Sequence, residues 1–198
     1  TLNDIFDHFP SKNIEVKLRA QGSADNLELD YCNITMTDNL DLRLHGIVNK
    51  IFDSRQRNGQ LHYSSSLKNT TFINGLIPRD LRQTISIPAG LQLGGDININ
   101  GNTYSLSKNT IYCGKGKLSI NGKYNTDNNT YSATLIADRF PLQAFLRGMN
   151  LSPLTSSIKI KGHGTDFTSR TTSLDAAINI NNFAYNDIPL NNINLSTK

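Results

Sequence analysis

The most constraining feature of this sequence is an alternation of apolar and polar residues that returns many times along the chain. Six rows are clear, and in each the apolar residues lie two positions apart. A period of two places successive side chains on opposite faces of a β-strand, so one face of each strand is apolar. The sequence therefore predicts an all-β fold of at least ten short strands in a half-buried antiparallel sheet. The rows begin at Ile14, Leu40, Leu118, Tyr131, Ile158 and Leu174.

Turn-forming residues separate these rows. The pairs Asn58-Gly59, Asn100-Gly101 and Asn121-Gly122 and the segment 125–129 are typical of tight connections between antiparallel strands. Asn is unusually abundant, with 25 copies in 198 residues. Because Asn serves in turns, this composition supports the antiparallel interpretation.

Helical signal is confined to three short stretches. Residues 141–149 have apolar side chains at helical spacing, and residues 72–83 have a weaker form of the pattern that Pro78 interrupts. Residues 2–10 look similar. We therefore predict one to three short helices that act as plugs against the sheet.

These stretches also suggest a weak internal repeat. Each is followed by a strand that runs into glycine, and the first isoleucines of these strands are Ile14, Ile85 and Ile158. They lie 71 and 73 residues apart (85 − 14 and 158 − 85). Such a period favours one elongated, stacked architecture over a compact globule. The predicted repeats lie near residues 1–71, 72–139 and 140–198 of a single segment, the third being incomplete.

Composition and charge exclude several classes of protein. The chain is 37% hydrophobic, and its 20 basic residues nearly balance 16 acidic ones, which is unlike a disordered polyelectrolyte. No apolar run approaches the roughly 20 residues of a membrane-spanning helix. The basic residues alternate with apolar ones and do not cluster with aromatic side chains, so we expect no nucleic-acid partner.

The two ends indicate a segment of a longer protein. Residues 1–9 lack the basic head and apolar core of a signal peptide. The alternation of Leu190, Ile193 and Leu195 is still running where the sequence stops at Lys198. We expect any export signal or membrane anchor to lie outside these 198 residues.

No constellation of residues indicates catalysis. His8, His45, His62 and His163 lie at no metal-ligand spacing, and the serines at 64–66 lack the context of a nucleophile elbow. The glycine-rich sites precede strands, so turns or bulges explain them better than a phosphate cradle does. We therefore predict no enzymatic activity, no metal site and no cofactor.

The two cysteines, Cys32 and Cys113, both lie in strand-like rows. Small buried apolar residues are the ordinary interpretation of such positions. A disulfide between them in an oxidising compartment is the alternative.

Four stretches carry a resemblance to a known family. They are residues 138–146 (DRFPLQAFL), 158–164 (IKIKGHG), 85–94 (ISIPAGLQLG) and 118–125 (LSINGKYN). Together they resemble the AsmA-like repeat region of the TamB family, the inner-membrane subunits of the translocation and assembly module in bacteria with two membranes. The resemblance touches most of the chain through diffuse patterning of strands and plugs, and it includes no catalytic motif.

The resemblance implies both a fold and a setting. The fold is a long antiparallel sheet folded over an aliphatic groove, a β-taco. The setting is the periplasm, where the segment would belong to an inner-membrane-anchored bridge for phospholipid transport and outer-membrane protein assembly. Implied partners are phospholipid or a hydrophobic β-strand as cargo, an Omp85-type barrel in the outer membrane, and adjacent repeats of the same chain.

The candidate lining of this groove is the inward-facing aliphatic set of the alternating rows. For each residue, the core of a closed β-sandwich is the competing interpretation. The corresponding alternative function is an adhesion or glycan-binding module of a surface protein. The candidate residues are Val16, Leu18, Leu42, Leu44, Leu118, Ile120, Leu135, Ile158, Ile160, Ile178 and Ile180.

Overall fold

A computed structural model describes residues 14–164 and 171–197, and this part of the chain is an open antiparallel β-sheet. The prediction of an all-β fold is confirmed. Eleven of thirteen strands form one sheet in the order β1 to β10 and then β13, while β11 and β12 form a separate two-stranded ladder. The strands are β1 (Ile14–Ser23), β2 (Asn26–Met36), β3 (Leu40–Asn49), β4 (Asn58–Leu67), β5 (Leu91–Asn100), β6 (Thr103–Cys113), β7 (Gly116–Asn125), β8 (Thr130–Phe140), β9 (Leu154–His163), β10 (Ser173–Asn182), β11 (Ala184–Tyr185), β12 (Ile188–Pro189) and β13 (Ile193–Thr197).

Pairing between neighbouring strands divides the side chains into two faces. Residues directly opposite each other in an antiparallel pair lie on the same face, so a chain of partners traces a row across the whole sheet. The row that starts at Val16 is apolar at nine of its eleven positions, and we name this side the apolar face. The other side, the polar face, carries the alternate residues, among them Lys17, Arg43 and Lys159. The row consists of Val16, Ile34, Leu42, Ser65, Leu93, Ile111, Leu118, Ala137, Ser156, Ile180 and Ile193.

Three irregular segments leave the sheet at the margin where β1 begins, and we name this margin the plug margin. They are residues 68–90, 141–153 and 183–192. The first two meet each other through a bridge between Ile85 and Leu146.

The buried core lies at the plug margin. Its centre is a cluster of five buried residues from β4, β5, β6 and β8, against which side chains of the first two irregular segments pack. Away from this margin the apolar side chains of the apolar face are half-buried or exposed. The five central residues are Leu67, Leu91, Cys113, Ala137 and Phe140.

The short helices only partly follow the prediction. Helix α1 (Thr71–Leu76) lies within the first irregular segment, and it ends before Ile77, whose backbone is extended as expected for a residue preceding Pro78. The expected helix over residues 141–149 is wrong in extent, because only a 3₁₀ turn at Leu142–Ala144 forms. The stretch 2–10 lies outside the described residues.

Two of the four predicted turns are also wrong. Asn58-Gly59 opens β4 and Asn121-Gly122 lies inside β7, whereas Asn100-Gly101 and the segment 125–129 do connect strands. The physical reason at Gly59 is close packing of backbones, since a Cβ there would lie 2.3 Å from the carbonyl oxygen of Ile47 on β3. Glycine is thus required by the strand itself.

The proposed repeats stay a prediction. Ile14 opens β1, Ile85 forms its bridge six residues before β5, and Ile158 lies within β9. The two described plug segments, 68–90 and 141–153, are separated by the four strands β5 to β8.

Candidate apolar binding face

All eleven candidate lining residues lie on the apolar face. Four belong to the row described above, and Ile160 lies two rows further from the plug margin, between Ala133 and Ala176. Val16 and Leu18 on the edge strand β1 are 57% and 62% exposed. The nine others are half-buried, and none is fully buried. The other six candidates belong to the row between these two, namely Leu18, Leu44, Ile120, Leu135, Ile158 and Ile178.

The candidates form two patches. Ile120, Leu135, Ile158 and Ile178 are directly paired across β7 to β10, which makes one continuous aliphatic strip. The second patch lies on β1 and β3. Sequence analysis missed three aliphatic residues of this face, although the same alternation marks them. Ile34 on β2 lies within the second patch, and Leu93 on β5 and Ile111 on β6 lie between the two patches.

A polar island on β5 and β6 lies between the two patches. Asn109 is buried, and its Nδ2 donates to the carbonyl oxygens of Asp96 and Ser107 at a bulge between β5 and β6. Its Oδ1 accepts a hydrogen bond from the hydroxyl of Tyr63, which reaches across Gly95. All functional groups of the Asn109 amide therefore have partners, so the island is compatible with an apolar surrounding.

Three tyrosines form a row at the margin opposite the plugs. Tyr104, Tyr124 and Tyr131 are directly paired across β6, β7 and β8 on the apolar face, and all three are half-buried. The guanidinium of Arg57 lies 5.4 Å from the ring centroid of Tyr104, and its Nη2 donates to the Tyr104 hydroxyl over 2.5 Å. We name these four residues the tyrosine margin.

The polar face carries a histidine–aspartate cluster that sequence analysis did not identify. His45 and His62 stack with ring centroids 5.0 Å apart, and Nδ1 of His62 lies 2.6 Å from Oδ1 of Asp96. The hydrogen bond from His62 lowers the pKa of the Asp96 carboxyl, and burial opposes this effect. The three residues are far apart in sequence, and only the register of β3, β4 and β5 brings them together.

A shallow depression of about 470 Å³ lies beside this cluster. Its base contains small residues such as Ser64 and Gly94, and Arg43, Lys108 and Tyr112 surround them. The depression offers hydroxyl groups, cationic groups and one aromatic ring to a polar ligand.

The cysteines do not form a disulfide. Cys32 and Cys113 are both free, and their strands, β2 and β6, are four positions apart in the sheet. At about 4.8 Å per strand this separation is roughly 19 Å, far beyond the reach of a disulfide. The disulfide alternative is therefore wrong. Burial raises the pKa of the Cys113 thiol.

Within residues 14–164 and 171–197, no group of three or more His, Cys, Asp and Glu side chains could hold a metal ion. No helix in the described part of the chain is long and apolar enough to cross a bilayer. No protein-family model matches this sequence, and neither a curated protein nor a solved structure matches it.

Proposed function

We propose that this chain is a non-enzymatic scaffold whose apolar face binds the acyl chains of phospholipid. The observation that carries the proposal is the apolar row that crosses all eleven strands and is covered only in part. Ala137 and Ser156 of this row are buried, whereas Leu42, Leu118 and Ile180 are half-buried and Val16 is exposed. A large, continuous and accessible apolar surface is characteristic of a binding surface.

The energetics favour an acyl chain as the ligand. Exposing a chain of about 16 carbons to water costs on the order of 12 kcal/mol, at about 0.8 kcal/mol per CH₂ group. Aliphatic side chains offset this cost by burial alone, which is not directional. A surface that acts in this way needs no catalytic group and no specific contact.

The biological setting of the proposal comes from the resemblance to the AsmA-like repeats. We propose a periplasmic segment of a bridge that is anchored in the inner membrane and delivers phospholipid to the outer membrane. Its further partners would be an Omp85-type barrel and adjacent repeats of the same chain.

A hydrophobic β-strand is the alternative cargo. Every residue of the edge strand β1 is exposed, and one side of its backbone has no neighbouring strand within the described sheet. Such an edge is a template for pairing with another strand. This cargo would serve the assembly of outer-membrane proteins.

Site-specific photo-crosslinking tests the proposal. A photoreactive residue at Leu118 or Ile160 should capture phospholipid, whereas the same residue at Ile136 should not. Ile136 is a matched control because it is also aliphatic, lies on β8 and is 50% exposed, but faces the polar side. Equal capture from Ile136 and Ile160, or capture from neither, would overturn the proposal.

A charged substitution gives an independent test. Ile160→Glu should abolish lipid binding while circular dichroism still reports a folded sheet, and Ile136→Glu should leave lipid binding unchanged. Global unfolding of Ile160→Glu would instead identify Ile160 as part of a closed core.

The alternative function, a glycan-binding module, would use the polar face. The depression next to Arg43, Lys108 and Tyr112 is the observation that favours it, because sugars are bound by hydroxyl groups and aromatic rings. Binding to a glycan array that is lost in Tyr112→Ala would support this alternative.

A further inference from the structure

The tyrosine margin contains two buried polar atoms that lack hydrogen-bond partners. Nε of Arg57 and Oη of Tyr131 are both inaccessible to solvent and unpaired. Leaving a buried donor unpaired costs about 1–3 kcal/mol, and more where the group is charged. Two such groups in one row of neighbouring side chains mark this margin as a candidate site for a polar ligand.

The charge of Arg57 points to the chemistry of that ligand. Arg57 forms no ion pair within the described part of the chain, although it is half-buried. The acidic residue of the same loop is Asp53, and its Oδ1 accepts hydrogen bonds from the backbone amides of Arg55 and Gln56. A planar guanidinium without a carboxylate partner matches the geometry of a phosphate group.

The three tyrosines lie where the apolar face ends at the margin opposite the plugs. Their rings continue the apolar face, since Tyr104 is paired with Ile99 and lies two residues before Leu106 on the same face of β6. The Tyr131 hydroxyl lies over Gly162 on β9, where a Cβ would be 2.5 Å from Oη. Tyrosine is favoured at membrane interfaces for the same reason, because its ring is apolar and its hydroxyl binds polar groups.

We propose that Arg57 and Tyr131 bind the phosphate of a phospholipid headgroup whose acyl chains lie on the apolar face. Tyr104 and Tyr124 lie between them, and the Tyr124 hydroxyl donates to Oδ1 of Asn129 over 2.9 Å. This inference rests on the proposed function and assigns a direction to the bound lipid. The plug margin is closed by packed side chains, so the headgroup lies at the opposite margin. Arg57 supplies the positive charge, and the Tyr131 hydroxyl supplies a neutral donor.

The test compares two short-chain lipids by isothermal titration calorimetry. Phosphatidylglycerol carries a phosphate, while diacylglycerol with the same acyl chains does not. The whole 198-residue chain should bind phosphatidylglycerol more tightly. Arg57→Gln should weaken phosphatidylglycerol binding by about tenfold or more and leave diacylglycerol binding unchanged.

Two further variants keep the test independent of folding. Tyr131→Phe removes only an unpaired hydroxyl, so the fold should persist while phosphatidylglycerol binding falls a few-fold. Arg55→Gln is the matched control, because Arg55 is an exposed arginine of the same loop, and it should have no effect.

Each result has a defined meaning. If Arg57→Gln and Tyr131→Phe bind phosphatidylglycerol as the unmodified chain does, the headgroup site is wrong while the lipid-binding function stands. If the unmodified chain binds neither lipid, both proposals fall. If glycerol 3-phosphate binds as tightly as phosphatidylglycerol and depends on Arg57, the site serves a soluble phosphate ester and the headgroup assignment is wrong.

Discussion

The hydroxyl of Tyr63 donates a hydrogen bond of 2.5 Å to Oδ1 of Asn109 in the middle of the apolar face. The strand between them contributes Gly95, where a Cβ would lie only 2.3 Å from that same oxygen. The side-chain contact between β4 and β6 therefore requires a glycine on β5. The hydrogen bond between Tyr63 and Asn109 holds the bulge at Asn109 in the sheet.

Tyr63→Phe should destabilise the fold by about 1 kcal/mol, because Oδ1 of the buried Asn109 loses its donor. Tyr112→Phe is the control, since Tyr112 is 46% exposed on the polar face and should change stability by less than about 0.5 kcal/mol. Urea denaturation measures both. Equal stabilities of the two variants would contradict the prediction.

Gly46→Ala should destabilise the sheet by roughly 2 kcal/mol or more. Gly46 has φ +145°, and its added Cβ would lie 2.1 Å from the carbonyl oxygen of Gln60 on the neighbouring strand. Gly122→Ala is the control, because its nearest neighbours at 3.4 Å are in ordinary contact. Thermal unfolding should separate the two variants clearly, and a stable Gly46→Ala protein would refute the close packing.

Phe140→Ala should cost roughly 3–5 kcal/mol, because Phe140 is buried and stacks on Phe145 with ring centroids 5.2 Å apart. Loss of this contact should also expose residues 141–153 to limited proteolysis. Phe52→Ala should do neither, since Phe52 is 90% exposed. If cleavage in 141–153 is unchanged, Phe140 does not anchor that segment.

The pair of His62 and Asp96 predicts a dependence of stability on pH. Because the pKa of Asp96 is lower in the folded than in the unfolded state, the contribution is fully present above the unfolded value near 3.9. It is lost as the pH falls through the folded value. The unfolding free energies of the unmodified chain and Asp96→Asn should therefore differ most above about pH 5 and converge in acid.

A second comparison isolates the cause of this dependence. In a His62→Asn background, most of the effect of Asp96→Asn on the pH profile should disappear, because His62 is the main source of the shift. An unchanged profile in that background would assign the shift to other groups.

Thiol labelling tests the state of the cysteines. Both thiols should react after denaturation without reductant, because neither is in a disulfide. In the folded protein Cys113 should react more slowly than Cys32, since Cys113 is buried and its pKa is raised by burial. Intact mass spectrometry after alkylation counts the modified thiols, and an internal disulfide in the folded chain would contradict the register of β2 and β6.

The strands were predictable from sequence because each one shows its period locally. The alternation at Leu118 and Ile120 or at Ile158 and Ile160 depends only on neighbours within the strand, and it is present in the structure. Turns were less predictable. Asn121-Gly122 is a typical turn sequence, yet it lies within a strand, where Oδ1 of Asn121 accepts a hydrogen bond from the backbone amide of Lys108 at the bulge of β6. That role depends on a neighbouring strand.

The features that were missed all depend on register between strands. His62 and Asp96 are 34 positions apart, and Arg57 and Tyr104 are 47 positions apart. Nothing in either local sequence distinguishes these side chains from ordinary surface residues.

The length of the second plug helix was also overestimated. Leu142 and Phe145 pack against the core, but a 3₁₀ turn suffices to bury them, so their apolar spacing did not require a full helix.

Each strand of the main sheet hydrogen-bonds only to its immediate neighbours, and the order of strands follows the order of the chain with the exception of β11 and β12. Tension that pulls the two edge strands apart across the sheet therefore loads all the ladders in series, and the weakest ladder breaks first. The sheet should yield by unzipping from its outer strands, and the interior remains intact because every newly bared strand still has its partner on the other side. Such a sheet should extend by one strand at a time under tension, and each released strand can pair with its neighbour again when the tension falls.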